Sequence, residues 1–278
     1  MNRALAALCI VAVAALGGGT AWYVEHRPAS APASGAPSAP PLPVPPVPPR
    51  IASGPDYEHC LDMLANDPAG ANAFADAWEA TGGGDGAVHC HALAIITLGD
   101  PLKGAAMLEQ LADRSHAPPL ARAQIYGQAT QAWLMADDAG HAYAAGTKAL
   151  TLDPHDAELL IERSVAAATT GRYLDAIDDL TRALAVDPRR ADALTLRAAA
   201  WRYEDKLDRA RDDVDRALAI DPDYPEAYLE RGILRQRSGD RAGAQADWQR
   251  AISLSPDTAT ADLAQQNLAL LEAGPSTN

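Results

Sequence analysis

AELLIERSVAAATTGRYLDAIDDLTRALAVDPRR (157–190), ADALTLRAAAWRYEDKLDRARDDVDRALAIDPDY (191–224) and PEAYLERGILRQRSGDRAGAQADWQRAISLSPDT (225–258) decide the fold when set one beneath another, because they repeat with a period of 34 residues. Alanine recurs at Ala176, Ala210 and Ala244 and again at Ala183, Ala217 and Ala251, and proline closes the units at Pro188, Pro222 and Pro256. Four residues after the first alanine stands a bulky side chain: Leu180, Val214 or Trp248. Each unit carries two segments of helical periodicity, such as 158–170 and 174–186, parted by a turn at Gly171-Arg172. Small residues let two helices approach closely while larger ones fill the space between them, and proline ends each unit because it cannot continue a helix. A unit this small cannot bury its apolar face alone, so the pattern predicts a stacked array rather than a globule.

The period and the alanine and proline slots resemble the tetratricopeptide repeat. The resemblance implies an all-α fold: a right-handed α-solenoid of helix pairs with a C-terminal capping helix. Residues 123–156 form a divergent copy in which Ala142, Ala149 and Pro154 keep register while Gly146 replaces the bulky residue. Residues 56–122 read as further divergent helical pairs, and 259–274 as the cap, with Leu263, Leu268 and Leu271 on its apolar side. In such arrays the first helix of each pair lines a concave, partner-binding groove. Carried over by position, that groove comprises Glu158, Ile161, Glu162 and Val165 in the first unit. It takes in Asp192, Thr195, Leu196 and Arg202 in the second, and Glu226, Leu229, Glu230, Ile233 and Gln236 in the third. The lysines and asparagines with which chaperone-binding members hold a peptide carboxylate are missing from these slots, so that activity is not implied. The acidic edge Glu158, Asp192 and Glu226 suits a segment with apolar anchors and some basic character, or serves the helix dipole. Arg163, Arg197 and Arg231 form one column and Asp179, Asp213 and Asp247 another, read as ion pairs tying the two helices of each unit.

Working outward, the chain has 278 residues and a formal charge of −14, a balance that argues against a nucleic-acid partner. Ala4 to Val24 carries no charge and follows Arg3, so residues 1–27 read as a membrane anchor or a cleaved signal peptide. Either directs the rest of the chain out of the cytoplasm, into the bacterial periplasm, with membrane contact through this segment if it stays uncleaved. Residues 28–55 form a Pro/Ala-rich linker whose Pro28–Pro49 stretch favours polyproline II; at about 3.1 Å per residue that stretch spans roughly 60–70 Å. Folding is expected from about Tyr57 onward.

Cys60 and Cys90 read as a disulfide in an exported chain, with free thiols and a metal site as alternatives. The neighbouring His59, His89 and His91 add potential ligands, but adjacent helical residues point about 100° apart and no standard zinc spacing is present. Gly82-Gly83-Gly84 lacks the lysine and preceding strand of a phosphate loop and reads as an inter-helix turn. No catalytic motif, metal or cofactor site emerges. The expected role is therefore a non-enzymatic adaptor holding a protein segment, with a self-assembling structural protein or an accessory or metal-carrying factor for an envelope enzyme as rivals.

Overall fold

The computed structural model describes residues 50–273. The anchor or signal segment and residues 28–49 of the linker lie outside the described residues. Thirteen helices account for the regular structure among them: α1 (Pro55–Asn66), α2 (Pro68–Ala80), α3 (Gly84–Thr97), α4 (Pro101–Arg114), α5 (Pro119–Met135), α6 (Ala139–Leu152), α7 (Ala157–Thr169), α8 (Tyr173–Val186), α9 (Ala191–Tyr203), α10 (Leu207–Ile220), α11 (Pro225–Arg237), α12 (Arg241–Leu254) and α13 (Ala259–Ala273). Each α-helical pair is the unit of an α-solenoid, and the chain divides into two compact parts inside α7, after Ala166. Among the described residues no helix is long and apolar enough to cross a membrane.

Local chemistry sets the helix ends. Proline opens α1, α2, α4, α5 and α11, where its missing N–H is not needed. Asp67, Asp100, Asp138 and Asp240 cap α2, α4, α6 and α12 by accepting from backbone N–H groups one turn in. Between the two helices of a pair one residue takes the left-handed conformation. Glycine fills that place at Gly171 and Gly239, while aspartate does so at Asp137 and Asp205, with φ of 58° and 54°.

In the second part (167–273), each helix from α8 onward packs on the next, and α9 with α11 and α11 with α13 also pack together. The alanines 176, 183, 210, 217, 244 and 251 are fully buried, as the repeat pattern requires. Trp248 shows why the third unit carries Gly232: a Cβ there would meet the indole at 2.3 Å, so only glycine admits the ring. The indole N–H donates to the Leu229 carbonyl at 3.2 Å, which leaves this largest buried side chain satisfied. In α13 the buried residues are Thr260, Ala261, Ala264 and Leu271; Leu263 and Leu268 flank them, partly buried.

The first part (50–166) relies on particular contacts rather than a repeated rule. Packing begins ahead of Tyr57, since Ile51 is buried and Arg50 pairs with Glu58 at 2.7 Å and lies over the Tyr57 ring. The Cys60 and Cys90 sulfurs, both buried, are bonded and tie α1 to α3. Beside them the buried His89 accepts at Nδ1 from the Tyr57 hydroxyl (2.5 Å) and donates from Nε2 to Gln128 Oε1 (2.7 Å). That pattern requires the neutral ring. Burial, only partly offset by Gln128, pushes its pKa down to about 4. At Gly146, the divergent unit's substitute for a bulky residue, the Arg163 stem fills the space: a Cβ there would stand 3.0 Å from Arg163 Cβ.

Candidate partner-binding face

The charged columns fix the helices that carry the face. Arg197 grips Asp213 through two bonds, Nε at 2.8 Å and Nη2 at 2.7 Å, and Arg231 grips Asp247 at 3.0 and 2.8 Å. Both aspartates are buried and gain a second cation, Arg216 at 3.3 Å and Arg235 at 2.8 Å. Bidentate geometry at a desolvated carboxylate is the stronger kind of ion pair, and it locks α9 to α10 and α11 to α12. Asp179 pairs with Arg182 on its own helix at 3.4 Å, and the Arg163 guanidinium reaches Thr147 Oγ1 at 3.4 Å and lies over the Tyr143 ring.

The face expected to form an open groove is more closed than its sequence positions suggest. In the first part, Ile161, Glu162 and Val165 are buried, Gln131 donates to Glu162, and only Glu158 is exposed. In the second part Thr195 and Leu196 are buried on α9, and Glu226, Leu229 and Glu230 on α11. The reason is geometric. These residues sit toward the start and middle of each first helix, where α9, α11 and α13 press on one another, so the stack covers them. The expected acidic edge is also taken up. Asp192 receives Arg190 at 2.9 and 2.6 Å, and Glu226 accepts from Thr260 at 3.1 Å.

What remains accessible is the C-terminal half of α9 and α11. Arg202 donates to Glu230 at 2.6 and 3.2 Å; their side chains are 10% and 0% exposed. Burial disfavours the Arg202 charge, yet the Glu230 carboxylate and its hydrogen bonds outweigh that and hold its pKa above the usual arginine range. The guanidinium lies 4.5 Å over the Tyr203 ring, and Tyr203 stacks on Tyr173 with centroids 4.5 Å apart. Arg237 joins the two helix ends, donating to the Arg202 carbonyl at 3.1 Å and to Asp205 at 2.9 Å. Ile233 and Gln236, half-buried, complete the surface. Of the sequence-assigned groove in this part, Ile233 and Gln236 therefore lie on the accessible face and Arg202 lies beneath it as the partner of Glu230, while Asp192 stands at the start of α9, paired with Arg190. Tyr173 was missed because it opens a second helix, outside the slots the resemblance assigns.

The histidines of the first part are engaged separately. His59 meets Phe74 edge-on, His89 bonds Tyr57 and Gln128, and His91 pairs with Glu79 at 2.5 Å. Among the described residues no three His, Cys, Asp or Glu side chains gather as metal ligands would.

Residues 196–269 match the family model described as tetratricopeptide repeat. No curated protein matches the chain by sequence. Among solved structures the fold is similar to that of YrrB, described as a TPR protein with an unusual peptide-binding site (TM-score 0.51, 18% identity, 70% of this chain and 97% of that one). It is also similar to MamA from Desulfovibrio magneticus RS-1 (0.52, 17%, 74% and 100%). A thermophilic TPR protein of Thermus thermophilus is similar to the same degree (0.53, 18%, 67% and 100%).

Proposed function

We propose that this chain, whose residues 196–269 match the tetratricopeptide-repeat model, is a non-catalytic scaffold holding a segment of a partner protein against the ends of α9 and α11. One observation carries this reading. After the buried ion pairs have consumed most polar groups of the first helices, the Tyr173–Tyr203 stack, Ile233 and Gln236 remain together as an amphipathic surface. Aromatic and aliphatic side chains on a rigid frame suit an extended or helical peptide with apolar anchors. A peptide-binding site in YrrB, a structure of similar fold, supports the same reading. With Asp192, Glu226 and Glu230 already paired, the partner's basic residues are not what this face selects.

The scaffold works in the bacterial periplasm, tethered by the apolar segment 4–24 or released after its cleavage. The bonded Cys60 and Cys90 support an oxidising compartment. Photo-crosslinking in cells producing the full chain tests the reading. Benzoylphenylalanine replaces Ile233 or Gln236, with the exposed Gln266 as control. A discrete heterologous adduct from the first two positions alone supports it. Adducts only between copies of this chain replace it with self-assembly, and silence at both positions removes the face from consideration.

A further inference from the structure

A second surface lies among the second helices, away from the positions assigned to the partner groove. In the second part residues of α8, α9 and α10 line an open groove of about 980 Å³. Its apolar side is Leu174, Ile177 and the indole of Trp201. Leu174 is 65% exposed, unusual for a leucine that faces a concavity. Arg209 lies over the Trp201 ring at 4.6 Å, and among the described residues no acceptor meets the indole N–H.

The charges around this groove do not balance. Arg197 and Arg216 are both committed to Asp213. That leaves Asp178 and Asp212, both exposed and without an ion-pair partner among the described residues, and the exposed Asp215, which has only a through-space attraction to Arg231, against the uncommitted cation Arg209 of the groove lining. Three carboxylates on two helices thus border an apolar floor. The structure places the corresponding site of the first part under different control, because there Lys148 spans from α6 to Glu109 and Asp113 on α4, both at 3.0 Å.

We infer that the α8–α10 groove is a second docking site, and that its occupant is a partner peptide carrying a bulky aliphatic side chain flanked by arginine or lysine. The aliphatic group seats between Leu174 and Trp201, and the cations meet Asp178, Asp212 and Asp215. Charge complementarity selects this occupant over an acidic or purely apolar one, since either would leave three carboxylates beside a drier surface with Arg209 as the one uncommitted cation of the groove lining. The site shares no residue with the α9–α11 face proposed above, so the two stand or fall separately.

The test is fluorescence anisotropy with the full chain and a labelled probe, Gly-Ser-Arg-Leu-Leu-Arg-Ser-Gly. Two control peptides replace both arginines by glutamate or both leucines by serine. The probe is expected to bind at least tenfold more tightly than either control and to weaken as salt rises. The surface variants Leu174→Ser and Asp178→Asn/Asp212→Asn/Asp215→Asn each weaken it at least fivefold, with unchanged circular dichroism, while Gln236→Ala leaves it unaltered. No measurable binding, equal binding of the glutamate peptide, or indifference to both groove variants overturns the proposal.

Discussion

Trp133 and Trp201 occupy the same place in their repeats, two repeat lengths apart, yet one is sealed and the other open. Trp133 is 7% exposed; its indole donates to Glu109 at 3.1 Å and its ring stacks on His141 at 4.7 Å. At Trp201 the equivalent of His141 is Arg209, and the equivalent of Glu109, ninth in the preceding second helix, is Thr181. Thr181 is too short to reach across, and its hydroxyl accepts from Arg197 instead. One substitution in a helix that is otherwise a good repeat therefore separates a packed seam from a groove. The same scaffold can be closed or left available without any change of fold.

This contrast extends to the two parts as wholes. The first is held by contacts that occur once, and the second by contacts that recur. The largest effect that sharpens the distinction comes from Cys60→Ser/Cys90→Ser. Closing a loop of sequence separation 30 contributes about 3.5 kcal/mol on the chain-entropy model. Hydrogen exchange read by mass spectrometry should show α1 to α3 losing protection, with α9 to α12 unchanged. Equal loss in both would mean that the bond supports the entire array.

Next comes the buried pair of the second part. Glu230→Gln leaves the Arg202 guanidinium desolvated without its counter-ion and should lower stability by about 3 kcal/mol in denaturant titration. Arg202→Met/Glu230→Leu should recover most of that, since a buried pair is replaceable by apolar volume. A failure to recover would show that the pair also specifies how α9 meets α11.

Much of the second part was legible because its physics repeats. Ala176, Ala210 and Ala244 mark close approach, Pro188, Pro222 and Pro256 mark unit ends, and the Arg197–Asp213 and Arg231–Asp247 pairs appear as columns. Other features had no columnar signal. Asp137 and Asp205 take a left-handed turn that glycine advertises and aspartate conceals. The burial of Leu229 and Glu230 depends on how near the adjacent first helix comes, which a one-dimensional slot assignment does not contain. His89 and Gln128 meet across 39 residues, and neither announces the other in sequence. The one readable hint of the groove was tryptophan at both 133 and 201, where the intervening unit has Ala167 and the last has Arg235.

His89 gives the comparison a pH axis. Its folded pKa lies below the free value of 6.5, so on acidification the unfolded chain takes up the proton first. Stability of the first part is thus intact above pH 6.5 and declines as pH falls toward 4, by about 2 kcal/mol at pH 5. Melting curves at pH 7 and pH 5 should show this, and His89→Gln should flatten the difference attributable to this ring. If the pH dependence survives that substitution undiminished, the protonation responsible lies elsewhere.

The smallest expected effect bears most directly on the two tryptophans. Thr181→Glu places a carboxylate where Glu109 stands in the first part, within the reach of one side chain from Trp201 and near Arg216, the counterpart of Lys148. A new hydrogen bond to the indole N–H should add about 1 kcal/mol and reduce quenching of Trp201 by acrylamide, measured with Trp201 as the reporter against a Trp201→Phe background. Glu109→Thr should do the reverse, removing the acceptor of the Trp133 N–H and one of the two carboxylates at Lys148, for a loss of about 1 kcal/mol. If both exchanges move quenching in the stated directions, a single position on the second helix sets whether the groove is open. If Trp201 stays equally accessible after Thr181→Glu, the placement of α8 and α10 holds it open, and the helices rather than the side chain set the difference.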